Sequence, residues 1–185
     1  FLVVLMIIIL AAVVVNSAMK PPPGFTPSNP PTSMPTVAMD DLRDAISEFT
    51  PMETLLDQST PQRDALIWLA NFDAAVHHHH RLKQRYAMVV LYYSTTYTGE
   101  WLNSMNWLHE DLHECSWGFI TCNEDLEITT IIMPNNDIKG SLPPEIGLLS
   151  DSLQHLVMDG NGLTGTLPME LGELGVLGTN NAQIH

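Results

Sequence analysis

The chain has 185 residues, 45% of them hydrophobic, with 21 acidic side chains against 7 basic ones and a formal charge of −14 at pH 7. That is room for one domain plus a tail. A surface of this sign repels phosphate, which argues against a nucleic-acid partner. The acid is concentrated downstream, because Lys139 is the single Lys or Arg beyond Glu100.

Phe1 to Val15 is unbroken apolar sequence. It would span about 22 Å as a helix, and about 28 Å if continued to Met19, against about 30 Å of bilayer hydrocarbon. Residues 1–19 are therefore expected to meet a membrane, in one of two ways. A signal anchor stays in the bilayer, which the length favours; a signal peptide cut after Ser17 removes residues 1–17 and leaves a secreted product. Both put residues 20–185 on the extracellular or lumenal side. Residues 20–59 carry the run P-P-P-G-F-T-P-S-N-P-P-T-S-M-P-T. They read as a mostly disordered, semi-extended stalk, with a short amphipathic helix over Asp40–Phe49. Ordered structure is expected from about Thr60. The sequence contains no N-x-[ST] acceptor, so glycosylation gives no argument for an exterior position.

In residues 60–127, Thr60 caps a helix with Pro61 at its first position, and Leu66, Ile67, Leu69 and Ala70 give it an apolar side. A second helix is expected from about Leu82 to Tyr93. Before it stands the histidine run His77–His80, with His77 and His80 one turn apart; it reads as solvated sequence rather than a built metal site. Trp101, Trp107 and Trp117 supply large apolar bodies to cover whatever follows. Cys115 and Cys122 are the only cysteines. Outside the cytosol a disulfide is the economical reading, and closing its loop contributes about 2–3 kcal/mol in the chain-entropy model. Two reduced cysteines in a buried cap are the alternative. Between them and the helices, His109, Glu110 and His113 spell H-E-D-L-H, the H-E-x-x-H pattern of zinc proteases. On a helix, the two histidines would share a face and Glu110 could activate a zinc-bound water. The pattern lacks a third ligand, with Ser116 and Phe119 standing where a glycine and a histidine would continue it. No metal and no cofactor is expected.

Residues 128–185 repeat. The segment I-T-T-I-I-M-P-N-N-D-I-K-G-S-L-P-P-E-I-G-L-L from Ile128 returns as L-Q-H-L-V-M-D-G-N-G-L-T-G-T-L-P-M-E-L-G-E-L from Leu153, and Asn136, Gly140 and Pro143 recur 25 residues later as Asn161, Gly165 and Pro168. The inward set is Ile128, Ile131, Met133, Ile138, Leu142, Ile146 and Leu149, then Leu153, Leu156, Met158, Leu163, Leu167, Leu171 and Leu174. One coil cannot bury these residues alone; stacked neighbours make the core. Asn136 and Asn161 fall where the chain leaves its strand, and their amides can bond free backbone groups there. Gly140 and Gly165 suit positive φ or close backbone approach, and Pro143 and Pro168 sit where no ladder donor is lost. Two full coils and part of a third are present, and the incomplete last coil predicts more repeats in the native product.

The pattern L-x-x-L-x-L-x-x-N-x-L is the leucine-rich repeat signature. G-S-L-P-P-E-I-G and G-T-L-P-M-E-L-G resemble its plant-type subclass, and W-L-H-E-D-L-H-E-C-S-W-G-F-I-T-C (Trp107 to Cys122) resembles that family's N-terminal cap. Thr60–Ala70 and Gln84–Thr95 are similar to the helical lead-in of membrane-linked leucine-rich repeat proteins of diatoms. The resemblance implies an α/β repeat, a right-handed superhelical solenoid with a helical N-terminal cap. It also implies recognition, since plant-type repeats serve in receptor ectodomains and in secreted inhibitors of wall-degrading enzymes.

Residues between the buried leucines point outward on the strand face: Thr130, Ile132, Pro134 and Asn135 in the first coil, His155, Val157, Asp159 and Gly160 in the second. This set pairs no nucleophile with a base and holds no phosphate loop. The expectation is a non-enzymatic module that binds a protein or peptide on this concave face, receptor-like and presented outside a membrane. Two rivals are kept: a zinc metalloprotease through His109, Glu110 and His113, and the outer part of a receptor kinase, whose G-x-G-x-x-G and H-R-D motifs are not in these residues.

Overall fold

The computed structural model describes residues 36–72, 79–169 and 171, all within one compact unit, Pro31–His185. The apolar run 1–19, the Pro-rich residues to 35, His77 and His78, Leu174 and the third coil lie outside the described residues. So do the side chains of His79 and His80. Among the described residues, no helix is long and apolar enough to cross a membrane.

Four helices come first: α1 (Thr36–Ile46), α2 (Met52–Leu56), α3 (Pro61–Phe72) and α4 (His79–Thr96). Two of them fall inside the segment expected to be a stalk. α1 buries Leu42 and Ile46, one turn apart on the same face, and α2 buries Leu55, so these helices belong to the core and order begins well before Thr60. At the start of α3 the Thr60 hydroxyl accepts the Arg63 N–H at 3.2 Å, as an N-cap does. The buried stripe of α3 is Ala65, Leu66, Trp68, Leu69 and Ala70.

α4 runs longer than expected and is enclosed. Tyr86 to Tyr92 are consecutively buried, the mark of a helix covered all round: it lies against α3 on one side and against the first coil on the other.

The coils supply five short strands: β1 (Ile120–Cys122), β2 (Ile128–Ile132), β3 (Lys139–Gly140), β4 (His155–Val157) and β5 (Gly162–Leu163). β2 and β4 are parallel, with Thr130 opposite His155, Ile131 opposite Leu156 and Ile132 opposite Val157. A second parallel ladder, which the apolar pattern alone did not disclose, joins β3 to β5 through Lys139–Gly162 and Gly140–Leu163. β1 adds to the first sheet antiparallel, on the other side of β2. The 25-residue repeat is therefore a real stacking period, since residues one repeat apart sit on adjacent rungs.

The return segment of the first coil is a 3₁₀ helix, Pro144–Leu149, not an α-helix. It closes through i→i+3 bonds, from the Ile146 N–H to the Pro143 carbonyl at 3.2 Å and from the Ser150 N–H to the Gly147 carbonyl at 3.0 Å, and Gly147 in its interior disfavours an α-helix. All seven inward residues expected for the first coil are buried. In the second coil, Leu153, Leu156, Met158 and Leu171 are buried and Leu163 is half-buried, whereas Leu167 is 50% exposed. The segment Leu163–Leu167 lies over Leu142; among the described residues nothing covers Leu167 in the same way.

Candidate functional site

Alternation along a strand sends neighbouring side chains to opposite faces. Ile131 and Leu156 point into the core, so Thr130 with His155 and Ile132 with Val157 form two cross-strand rows on the other side. His155 is exposed, Ile132 is 44% exposed, and Thr130 and Val157 are half-buried. Thr121 of β1 extends the first row opposite Thr130. Pro134 and Asn135 are exposed beyond β2; beyond β4, Asp159 is half-buried and Gly160 exposed. The structure thus brings the eight outward residues onto one side of one sheet and its exit turns.

The turns are fixed by backbone geometry. Asn135 and Asp137 are left-handed, at φ of 52° and 54°. The Asn135 N–H donates to the Asp159 carbonyl at 2.9 Å. Gly160 has a φ of 67°, the left-handed conformation that Asn135 takes one repeat earlier, and a Cβ there would meet Oδ1 of Asn135 at 2.2 Å unless that side chain moved aside. Gly140, at a φ of 95°, passes against the Ser94 carbonyl of α4, where an added Cβ would come within 2.3 Å.

Beneath the turns runs a ladder of asparagines. Oδ1 of Asn161 accepts the N–H groups of Asn136 at 2.8 Å and Ile138 at 3.1 Å. Its Nδ2 donates to the carbonyls of Met133 and Met158 at 2.7 and 2.8 Å. One amide therefore ties the second coil to the first. Asn136 repeats the arrangement one step earlier, accepting the Asn103 N–H at 2.7 Å and donating to the Asn103 carbonyl at 2.9 Å. Asn103 thus holds the place of a preceding coil. Sequence reasoning missed it, because no repeat surrounds it. Pro143 and Pro168 open equivalent 3₁₀ turns, their carbonyls accepting Ile146 N–H at 3.2 Å and Leu171 N–H at 3.1 Å.

Two buried polar groups bind the helices to this frame. Glu145, 5% exposed, accepts Nε2 of Gln62 on both oxygens, at 3.1 and 3.0 Å, and the Thr50 hydroxyl at 3.1 Å. The Tyr86 hydroxyl donates to Thr50 at 3.1 Å, and burial pushes its pKa upward, so it stays a donor. A signal for Glu145 did exist: the acid recurs in both G-x-L-P-x-E segments.

The second buried group is Glu114, fully enclosed. Arg81 lies 3.3 Å and Arg85 3.8 Å from its oxygens, with His113 Nδ1 at 3.0 Å. Arg85 is also stacked between Trp117 and Trp68, at 4.7 and 5.3 Å from their ring centroids. It donates to the carbonyls of Leu112, His109 and Glu110 at 2.8, 3.3 and 3.4 Å.

Those last three contacts decide the H-E-D-L-H segment. It is a run of turns, not a helix, with Leu108 left-handed at a φ of 57°. His109 Nδ1 accepts the Asp111 N–H at 3.3 Å, while His113 Nδ1 accepts the Cys115 N–H at 3.2 Å. The shared helical face on which a zinc pair depends is therefore absent; the guanidinium of Arg85 claims the carbonyls that a helix would use internally. Burial lowers the His113 pKa, against the opposing pull of Glu114. Cys115 and Cys122 form a disulfide with Cα atoms 5.7 Å apart, tying the 3₁₀ turn Glu114–Ser116 to β1.

The tryptophans form a continuous cluster. Ring centroids of Trp101 and Trp107 are 4.6 Å apart and those of Trp107 and Trp117 5.2 Å apart. Trp101 donates to the Thr95 hydroxyl at 3.2 Å and Trp107 to the Gly118 carbonyl at 2.9 Å.

Residues 152–174 match the family model described as Leucine Rich Repeat. The chain is 45% identical over 51 residues to an Arabidopsis thaliana protein named as a probable inactive leucine-rich repeat receptor-like protein kinase, which is 28% of this chain and 7% of that relative. It is 40% identical over 48 residues, 26% of this chain, to an Arabidopsis thaliana protein named as a probable leucine-rich repeat receptor-like serine/threonine-protein kinase, covering 6% of it. Similarity to leucine-rich repeat protein 1 of Arabidopsis thaliana is 38% over 45 residues, 24% of this chain and 20% of that one. The chain thus matches only a small part of each relative. The matches support a plant-type leucine-rich repeat protein; a likeness to diatom proteins in particular is not among them.

Proposed function

We propose that this chain is a non-enzymatic module that recognises a protein or peptide on the outward side of β2 and β4, carried on the outer side of a membrane by residues 1–19. The observation that carries it is the parallel register of Ile131 with Leu156. That register leaves a contiguous array of dissimilar side chains, Thr130, Ile132, His155 and Val157, on a rigid frame whose backbone is satisfied from below by Asn136 and Asn161. Recognition needs such an array; acid–base or nucleophilic chemistry needs paired groups that this face lacks. Support also comes from the leucine-rich repeat match and from relatives named as receptor-like. In this reading the helices and the Trp101–Trp107–Trp117 cluster act as the N-terminal cap of a right-handed α/β superhelix.

The test uses the full chain in a non-ionic detergent against a displayed random peptide library. Enriched peptides are expected to lose binding to Ile132→Glu and His155→Glu and to keep it with Gln58→Glu, an exposed change before α3. Peptides that bind all three variants alike would overturn the reading.

Receptor-like kinases among the relatives favour a second form of the same reading, in which the chain is the outer portion of a longer signalling protein. Sequencing the complete transcript decides it, by the presence or absence of a kinase segment.

A further inference from the structure

The outward side of the first sheet carries an apolar cross-strand row with acid on both sides of it. Ile132 stands beside Val157, and its N–H donates to the Phe119 carbonyl at 3.0 Å. Gly118, next along, donates to the Met105 carbonyl at 2.8 Å, and Met105 is 58% exposed. The hydrogen-bonded backbone therefore continues off the coils and onto the block before them, with Phe119 and the exposed Met105 next in line. Past Val157, Asp159 emerges on the same side two residues on. At the opposite end of the strands, the turn between β1 and β2 exposes Glu124, Asp125 and Glu127. Lys139 is the one cation the coils themselves supply, and it is committed to Asp137 at 2.9 Å.

We propose that this face takes an extended cationic peptide segment. One aliphatic or aromatic side chain of it seats on Met105, Ile132 and Val157, while Lys or Arg side chains reach Asp159 on one side and Glu124, Asp125 and Glu127 on the other. The inference rests on the recognition reading and adds the chemistry of the partner. Apolar contact at the centre of a patch supplies most of the affinity, and the acidic rim draws in a basic partner and turns away an acidic one. Spacing follows from strand geometry. At about 3.3 Å per residue, Asp159 lies roughly 7 Å beyond Val157 and Glu127 roughly 16 Å before Ile132. A ligand running along the strands thus places one basic residue about two positions from its apolar anchor and another about five positions to the other side.

The experiment sequences the peptides that the library selection enriches, then measures one of them, its Lys/Arg→Gln analogue, and the variant carrying Glu124→Gln, Asp125→Asn and Asp159→Asn. These exchanges are isosteric, Glu124 and Asp125 are exposed and Asp159 half-buried, and an unchanged melting curve verifies the fold. The expected result is an apolar residue flanked by Lys or Arg, affinity roughly tenfold weaker for the triple variant, as three exposed ion pairs allow, and a further fall as salt is raised. Enriched peptides without basic residues that are still lost on Ile132→Glu would overturn this proposal and leave the recognition reading standing. Cationic peptides indifferent to Ile132→Glu would overturn it as mere charge capture. If no enriched peptide depends on the face, both fall.

Discussion

At the scale of the residue, neighbours in sequence have opposite duties. Leu156 is 3% exposed and packs beside Ile131, while His155 is exposed next to Thr130. Leu156→Ala is expected to cost about 2–5 kcal/mol, as truncation of a buried leucine does, whereas His155→Ala should fall within about 0.5 kcal/mol of the parent. Urea denaturation of both variants checks this; equal losses would mean that the inward and outward assignments are wrong. These duties were legible in the sequence because special residues recur along with the apolar ones. Alternation alone leaves a strand free to slip by one residue, which exchanges its faces. Asn136 with Asn161, and Gly140 with Gly165, remove that freedom, since each has a backbone task possible at only one place in the coil.

At the scale of the element, the segment from Trp107 to Cys122 was the least legible. Its H-E-D-L-H stretch allows a helix, yet its conformation is set by groups far along the chain. Arg85 collects the carbonyls of His109, Glu110 and Leu112, and Glu114 is held by Arg81 and Arg85. No local pattern announces a partner that far upstream. The same cluster predicts a response to acid. Burial lowers the pKa of His113 below the ordinary value of 6.5, so the folded state binds that proton more weakly than the unfolded chain. Stability should therefore be fully present above about pH 6.5 and decline as pH falls below it. The melting temperature of the parent is expected to drop more between about pH 7 and pH 5 than that of His113→Asn. Parallel curves for the two proteins would remove His113 as the cause.

At the scale of the whole molecule, the helices and the first coil share a single interior. α1 was expected as Asp40–Phe49 and in fact starts at Thr36, inside the proline-rich stretch, while α2 escaped the sequence reading because it is only five residues long and takes its burial from α3 and from the turn at Thr50, whose hydroxyl reaches Glu145 95 residues on. Glu145 sits where these parts meet. Glu145→Ala leaves Gln62 and Thr50 without their acceptor inside the protein, and hydrogen bonds to a charged group contribute about 1.5–3 kcal/mol each. The variant is expected to melt several degrees lower and still in one transition, with tryptophan fluorescence and far-ultraviolet dichroism moving together. Two separated transitions would show that the helices and the coils are independent bodies.

The long reach of Glu145 also imposes a timetable on synthesis. α1, α2 and α3 are made first, and Ile46, Leu55, Leu66 and Leu69, each wholly enclosed in the finished protein, come with them. The carboxylate they close upon lies 95 residues beyond Thr50 and 83 beyond Gln62. At roughly 5–20 residues per second, that is a wait of about 4–19 s. Through that wait α1, α2 and α3 can pack on one another and on α4, whereas the side of α4 that the first coil covers stays bare and oily, which makes α4 the place where a chaperone would grip this polypeptide before its coils exist.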